Sequence, residues 1–269
     1  MKTNSFNETR KFGVEIEFKG NRLAVQDYMN AHGVECHIEG YNHNTRPHWK
    51  IVTDASCEYE LVSPPIHGQD AFRQLKVACD ALAAAGARVD KTCGLHVHHD
   101  ANDLDVRSFA NIFALYIKLE ETIDTFLPNS RRSNNNQYCH SLGLTAEEKQ
   151  RKLNQLKKVR TIQDIAYDVY SSRYFKVNAQ SYLRHGTVEF RQHSGTVEYD
   201  KIVNWVMLTQ RIVERAKEGN VQYTYKESNF KLLTLQKMLG IIASSGADET
   251  LQSVNSFYVS RAKQLARTA

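Results

Sequence analysis

Four short segments of the chain alternate between apolar and polar residues, which is the pattern of half-buried β-strands. Within each segment the polar residues fall at every second position, so they share one face of the strand. These polar residues are Glu15 and Glu17, Glu58 and Glu60, His96 and His98, and Glu189, Arg191 and His193. The apolar residues between them need a cover of helices. The sequence therefore predicts an α+β protein in which helices pack on one face of a largely antiparallel sheet.

Other periodic segments supply the rest of the expected secondary structure. Strands are expected near residues 11–19, 48–53, 58–63 and 94–100, helices at 70–88 and from Asp105 to Pro128, and a strand pair within 175–193. Beyond Tyr199 the pattern predicts three helices. Residues 129–143 lack an apolar period and predict an exposed loop that could act as a lid. Residues 147–160 predict a helix with a basic face, either a solvated surface or an anion-binding one.

Composition excludes several classes of protein. The chain has 269 residues, 41% hydrophobic and 24% charged, as in ordered globular proteins, and its net charge of +5 suits anionic ligands without requiring nucleic acid. No apolar stretch approaches the roughly 20 residues of a membrane span, and the polar N-terminus carries no secretion signal. A cytoplasmic protein with no membrane partner is therefore expected. The five cysteines form no Cys-x-x-Cys pair, so we expect reduced, packed thiols.

The four polar faces point to metal ions and phosphate. Any one face could be the wet side of a half-buried sheet, but three of them offer only Glu and His, and the fourth adds Arg191. Two carboxylates about 4 Å apart repel by about 4 kcal/mol at an effective dielectric constant of about 20, so crowded glutamates need cations beside them. Glutamate-rich ligation favours Mg²⁺ or Mn²⁺, whose coordination shell nucleotide phosphates commonly complete.

Five motifs carry a resemblance to a known family. They are, in order, GVEIEF at residues 13–18, DAS at 54–56, ELVSPP at 60–65, CGLHVH at 93–98 and GTVEFR at 186–191, joined by Asn178 and the Gly-Thr pair at 195–196. Together they resemble the carboxylate-amine ligases of the glutamine synthetase fold, including the glutamate-cysteine ligases, and most closely the short amidoligases of phages and bacteria. The resemblance covers most of residues 11–205.

The resemblance implies a fold and a set of ligands. The fold is a curved, largely antiparallel sheet that forms a catalytic funnel, with helices on its outer face and ATP entering at one end. A single catalytic domain over residues 1–269 would contain a ligase core at about 11–218 and a C-terminal helical segment at about 219–269. Two or more Mg²⁺ or Mn²⁺ ions would be held by Glu15, Glu17, Glu60, His96 and Glu189.

The resemblance and the strand pattern also suggest residues for the ATP phosphates. His98 and Arg191 would face the phosphates, and Asn178 lies where amidoligase-like sequences often carry an asparagine. Lys50 lies four residues before Asp54, so in a strand both side chains lie on the same face. From that face Lys50 could reach a phosphate or a substrate carboxylate. An ordinary exposed lysine is the alternative interpretation of Lys50.

A short loop carries the residues expected to act on the amine. By the resemblance, Asp54 receives the amine and helps to remove its proton, and Ser56 supports the loop. An alkyl ammonium with a pKa of about 10 is protonated at pH 7 and cannot attack, so an anionic residue suits this position. The alternative for Asp54 is the cap of an Asx-turn.

The function that the resemblance implies is an ATP-dependent ligase that joins a carboxylate to an amine through an acyl phosphate. The two substrates and the oligomeric state stay open, and the acceptor could be a small molecule, a peptide, a protein or a nucleic-acid-linked group. The alternatives are a guanidino-kinase-like phosphotransferase on the same fold, a metal-dependent hydrolase, and a non-catalytic basic module that binds nucleic acid. The last would use the basic face of residues 147–160 and the C-terminal Arg261, Lys263 and Arg267.

Overall fold

The computed structural model describes residues 5–227 and 231–267, which fall into two units. The strand unit consists of Glu8–Asp100 and Gln192–Val206. The helical unit consists of the described residues within Met1–Asn7, Ala101–Arg191 and Met207–Ala269. The single catalytic domain expected from the sequence stays a prediction.

The strand unit contains the elements that carry the first three polar faces. In chain order these are β1 (Phe12–Phe18), α1 (Arg22–Ala31), β2 (Cys36–Ile38), β3 (Trp49–Thr53), β4 (Tyr59–Val62), α2 (Gly68–Ala84) and β5 (Gly94–Asp100). Every strand and helix predicted in this part of the sequence is confirmed. The structure adds α1, which Asn21 caps by accepting the N–H groups of Leu23 and Ala24, and the short strand β2.

The first element of the helical unit is α3. The unit contains α3 (Val106–Asp124), a 3₁₀ turn (Asn129–Arg131), α4 (Ala146–Leu156), α5 (Ile162–Asp164), a π-helical turn (Ile165–Val169), β6 (Val177–Asn178), α6 (Gln180–His185), α8 (Leu232–Leu239), a 3₁₀ turn (Ala243–Ser245) and α9 (Glu249–Ala266). Two further elements, β7 (Thr187–Ser194) and α7 (Tyr199–Lys217), belong partly to each unit. Among the described residues, no helix is both long enough and apolar enough to cross a bilayer.

The seven strands follow the order β2-β3-β4-β1-β5-β7-β6. β1 pairs antiparallel with β4 and β5, β3 with β4, and β6 with β7, whereas β2 and β3 are parallel. The sheet is open and mostly antiparallel, and the predicted α+β class is confirmed. β1 lies between β4 and β5. Its two glutamates therefore have, on either side, a strand with polar side chains on the same face.

The apolar face of the strand unit is covered by helix α2. The rings of Phe12 on β1 and Phe72 on α2 lie 6.1 Å apart, and the indole N–H of Trp49 donates to Gln74 Oε1 at 2.8 Å. Phe12 and Trp49 are both buried. This packing uses the face opposite to Glu15 and Glu17, since side chains alternate along a strand.

The loop at residues 129–143 differs from the exposed lid expected from its sequence. Its tip is exposed, but Arg131, Cys139 and Leu142 are buried. The backbone N–H of Leu142 donates to the carboxylate of Glu120 on α3 at 3.0 Å. His140 is hydrogen-bonded through its backbone to the segment before β6, donating to Tyr174 O and accepting from Lys176 N. The prediction of an exposed loop is therefore wrong at Arg131, Cys139 and Leu142, and the role of the loop as a lid stays a prediction.

The basic face expected on α4 is smaller than its sequence suggests. Lys149 is only 2% exposed, and its ammonium pairs with Glu121 and with the Tyr225 hydroxyl. A lysine with these partners is not available to an anionic ligand. The helix also ends at Leu156, earlier than predicted.

Candidate functional site

The register of three strands in the strand unit brings four of the five predicted metal ligands together. On one side of β1, Glu15 lies opposite His96 of β5, and on the other side Glu17 lies opposite Glu60 of β4. The same alternation that buries the apolar residues therefore places these four polar side chains on the other face of the sheet. His98, two residues after His96, shares this face.

The imidazole of His96 contacts three carboxylates. Its Nδ1 lies 3.0 Å from Oε2 of Glu15 and 4.0 Å from Oε1 of Glu60, and its Nε2 lies 3.6 Å from Oε1 of Glu17. Glu17 and His96 are about 95% buried, whereas Glu15 keeps a quarter of its side-chain area exposed. The cluster is thus buried at its base and open to solvent beside Glu15.

The charge of Glu15 is maintained by its two histidine neighbours. Burial raises the pKa of this carboxyl, but the charge of His98 and the hydrogen bonds from His96 and His98 hold it well below its usual range. His98 Nε2 lies 3.4 Å from Glu15 Oε1. The group is therefore an anion at neutral pH, as a cation ligand must be.

These residues fit a divalent cation. Glu15, Glu60 and His96 each offer one ligand atom, and the three atoms lie within 4.8 Å of one another. Two carboxylates and one imidazole form a donor set that Mg²⁺ or Mn²⁺ can use with water or phosphate oxygens completing the shell. Glu58, which alternation groups with Glu60, lies before β4 begins and is exposed.

The hairpin loop between β3 and β4 holds Asp54. Its Oδ1 accepts the backbone N–H groups of Ser56 and Cys57 at 2.8 and 2.9 Å and the Ser56 hydroxyl at 2.6 Å. The backbone N–H of Asp54 donates to Glu58 O at 3.0 Å, which closes the loop. Asp54 therefore does cap an Asx-turn. Ser56 forms two of these bonds, and the catalytic roles of Asp54 and Ser56 stay predictions.

Cys57 and Cys93 lie in contact next to this loop, which the sequence pattern does not predict. A hydrogen bond between the thiols of Cys57 and Cys93 lowers the pKa of Cys93 to about 7 and raises that of Cys57. Both thiols are buried. Since Cys93 directly precedes β5, the thiol pair connects the Asp54 loop to the strand that carries His96.

Lys50 on β3 is buried, which contradicts its interpretation as an exposed lysine. It is only 3% exposed, and its Nζ donates to Oδ1 of Asn42 and to the backbone oxygen of Asn44, both at 2.8 Å. Burial lowers the pKa of Lys50, opposed by the negative charges of Glu39 and Glu60. Lys50 thus anchors the loop that precedes β3, and its contact with a phosphate stays a prediction.

The helical unit brings together a second group of predicted site residues. Asn178 on β6 lies opposite Glu189 on β7, and its Nδ2 donates to Glu189 Oε2 at 2.7 Å. The guanidinium of Arg191 forms an ion pair with the other carboxylate oxygen, Oε1. Both oxygens of the buried Glu189 are therefore held by donors.

The predicted site residues lie in two clusters, one in each unit. The strand unit clusters Glu15, Glu17, Glu60, His96 and His98 and carries Lys50, Asp54 and Ser56 on β3 and its hairpin loop. The helical unit clusters Asn178, Glu189 and Arg191. His99, which alternation assigns to the apolar side, is fully buried.

Comparisons with known proteins identify the family. The family described as "putative amidoligase enzyme" matches residues 8–213. No curated protein gives a match. The crystal structure of a bifunctional glutathione synthetase from Pasteurella multocida matches with 14% sequence identity and a TM-score of 0.47, covering 96% of this chain and 50% of that one. The chain therefore spans about half the length of that protein.

The family assignment rests on the sequence match, which includes all five motifs given above. It extends from Glu8, before the first strand, into α7 and so takes in both clusters of predicted site residues. The chain belongs to this family of amidoligase enzymes.

Proposed function

We propose that this chain is an ATP-dependent ligase that forms an amide bond between a carboxylate and an amine. In the proposed reaction the γ-phosphoryl group of ATP moves to the carboxylate and ADP leaves. The amine then attacks the resulting acyl phosphate, and inorganic phosphate leaves as the C–N bond forms. The observation that carries the proposal is the cluster of Glu15, Glu60 and His96, whose ligand atoms lie within 4.8 Å of one another.

Glutamates and one histidine would hold the metal ions. Glu15, Glu60 and His96 are proposed as the ligands of one cation and Glu17, which contacts His96, as a ligand of another. The family resemblance adds Glu189 to this set. When bound, Mg²⁺ or Mn²⁺ would neutralise the crowded carboxylates and stabilise charge on the transferring phosphoryl oxygens.

Arg191 is proposed to bind the phosphoryl group. Its planar guanidinium presents several N–H donors and can serve Glu189 and phosphate oxygens together, which a lysine cannot do in the same geometry. Asn178 holds the second oxygen of Glu189 and so fixes the orientation of that carboxylate. His98 and Lys50 are proposed as further contacts of the nucleotide.

Asp54 is proposed to accept the proton that the amine must lose. The three hydrogen bonds to its Oδ1 fix the carboxylate and leave Oδ2 as the proposed proton acceptor. Ser56 supplies two of these bonds and is the positioning residue. A funnel-shaped active site and a location in the bacterial or phage-infected cytoplasm belong to the same proposal.

The test is Mg²⁺-dependent release of ADP from ATP, with pooled carboxylates and with hydroxylamine as the nucleophile. Hydroxylamine traps an acyl phosphate as a hydroxamate, whose mass identifies the carboxylate. We expect ADP and hydroxamate from the wild type and a loss of at least about 100-fold in Glu60→Gln, because a metal ligand is removed. Glu58→Gln is the matched control, since Glu58 is an exposed carboxylate two residues away, and it should keep its activity.

Three results would contradict the proposal. ADP together with a stable phosphorylated product would favour the phosphotransferase. Turnover without ATP would favour a hydrolase. Equal losses of activity in Glu60→Gln and Glu58→Gln would remove the assignment of Glu60 as a metal ligand.

A further inference from the structure

A second group of metal-binding side chains lies at the edge of the strand unit, on strands β2 and β3. Glu35 and His48 directly precede these strands, and His37 lies in the middle of β2. The strands pair in parallel with Cys36 opposite Trp49, and the backbone N–H of Trp49 donates to Glu35 O at 3.0 Å. Since Cys36 and Trp49 are buried on the apolar face, alternation places the other three side chains on the opposite face.

The three side chains converge. His37 Nε2 lies 2.8 Å from Oε1 of Glu35, and the rings of His37 and His48 meet edge to face with centroids 4.4 Å apart. One ligand atom from each residue lies within 4.8 Å of the other two. Glu35 and His37 are exposed and His48 is half-buried, so an ion could enter from solvent.

We propose that Glu35, His37 and His48 form a second metal site that binds a divalent transition ion such as Zn²⁺ or Co²⁺. Imidazole nitrogens are borderline donors, and a set of two imidazoles with one carboxylate favours these ions over Mg²⁺. Three protein ligands leave a coordination position for water or a small ligand. The central cluster differs because most of its donors are carboxylates, which suit Mg²⁺ and Mn²⁺.

A neighbouring ion pair orients the ligand from β3. Glu39 Oε1 lies 3.4 Å from His48 Nε2, and Glu39 is held by Arg46, which donates to Oε1 at 2.9 Å and to Oε2 at 3.0 Å. A carboxylate that fixes the ring of a ligating histidine is a common second layer of metal sites. Asn42 Nδ2 also donates to Glu39, at 2.9 Å. The loop that carries His48 is thus held before any ion binds.

The experiment is a titration of the full chain with Co²⁺ in the presence of excess Mg²⁺, followed by the visible absorption of Co²⁺ and by the melting temperature. Mg²⁺ competes for the oxygen-rich central cluster. We expect one Co²⁺ per chain with a four- or five-coordinate spectrum and a raised melting temperature, because an ion that binds only the folded state stabilises it. Zn²⁺ should displace the Co²⁺ signal.

Single substitutions locate the ion. His37→Gln and His48→Gln should each weaken Co²⁺ binding by about 100-fold, because each removes one of three ligands. Glu60→Gln should keep the Co²⁺ site. His32→Gln is the matched control, since it removes a histidine that lies outside the group, at the C-terminal cap of α1. If His48→Gln does not fold, as judged by circular dichroism, His37→Gln at its exposed position carries the test.

Two outcomes would overturn the proposal. Unchanged Co²⁺ affinity in His37→Gln means that the ion binds elsewhere. Loss of the Co²⁺ spectrum in Glu60→Gln, with retention in both histidine variants, assigns the ion to the central cluster. Neither outcome bears on the ligase proposal, whose test measures ADP and hydroxamate.

Discussion

Glu15 and His96 lie directly opposite each other on neighbouring antiparallel strands, with 3.0 Å between the glutamate Oε2 and the histidine Nδ1. The pair forms because strand alternation and strand register agree, so that both polar side chains leave the sheet on the same face. The imidazoles of His96 and His98 stabilise the negative charge of this carboxylate. A cation that binds here would take over that role and use Glu15 and His96 as ligands.

Substitution of Asp54 should separate the two halves of the proposed reaction. Asp54→Asn should slow amide formation with an alkyl amine by about 100-fold, because no carboxylate is left to accept the proton of the ammonium. Hydroxamate formation should be nearly unchanged, since hydroxylamine is neutral at pH 7 and needs no base to remove a proton first. Mass spectrometry of both products in one assay measures the ratio of amide to hydroxamate.

Ser56→Ala is the companion variant for Asp54. It removes the 2.6 Å hydrogen bond from the hydroxyl but keeps the backbone N–H bonds to Asp54. We expect a loss in amide formation of about tenfold or less, with the same preference for hydroxylamine. Equal losses with both nucleophiles in Asp54→Asn would rule out a role of this residue in deprotonation.

Arg191→Lys tests the phosphoryl contact. A lysine keeps the positive charge but lacks the planar fork that pairs with Glu189 and a phosphate together. We expect kcat for ADP release to fall by about 100-fold. Arg184→Lys, at an exposed position on α6 in the same unit, should change kcat by less than about twofold. A fall of similar size in both variants would argue against a specific role of Arg191.

Strand positions were predictable because burial on one face leaves a period of two in the sequence. β1, β3, β4 and β5 all lie within one residue of their predicted ends. Alternation alone does not fix where a strand begins, however. Glu58 lies two residues before Glu60 and would share its face in a longer strand, yet β4 starts at Tyr59 and Glu58 is exposed.

Helix α1 is an element that the apolar period of the sequence does not predict. Only Val25 and Met29 of its ten residues are buried, so the apolar period is too short to recognise. The available signal was Asn21, which caps the helix. The contact of Cys57 with Cys93 and the approach of His37 to His48 could not be predicted either. Both depend on how distant segments align in the folded chain, which local periodicity does not contain.

The buried lysine of the helical unit should be essential for stability. Lys176 is fully buried, and its ammonium lies 2.7 Å from Glu120 and 2.8 Å from Asp124. Burial lowers the pKa of Lys176, but the two carboxylates raise it further than burial lowers it. Lys176→Met should reduce the free energy of unfolding by about 3–5 kcal/mol, because Glu120 would remain buried without its counter-charge. Urea denaturation measures the change.

Two variants control the Lys176 experiment. Lys176→Met combined with Glu120→Gln should recover part of the loss, since the second substitution removes the uncompensated charge. Lys201→Met breaks an ion pair with Glu198, whose side chain is 64% exposed, and should change the free energy of unfolding by less than about 0.5 kcal/mol. If Lys176→Met costs no more than Lys201→Met, the buried network contributes little to stability.

The ion pair between Glu39 and Arg46 should make stability depend on pH. The Arg46 guanidinium, with help from Asn42 and His48 against the effect of burial, lowers the pKa of Glu39 from 4.5 to about 2. A carboxyl whose pKa is lower in the folded state adds stability that is fully present above about pH 4.5 and is lost as the pH falls toward 2. Glu39→Gln should therefore cost about 1 kcal/mol at pH 7, a value kept small because the pair is partly exposed to solvent. The difference in the free energy of unfolding between Glu39→Gln and the wild type should be smaller at pH 3.

Urea denaturation at both pH values measures this difference, with Asp27→Asn on the exposed side of α1 as the control. An equal difference at pH 7 and pH 3 would show that Glu39 contributes through packing and not through its charge.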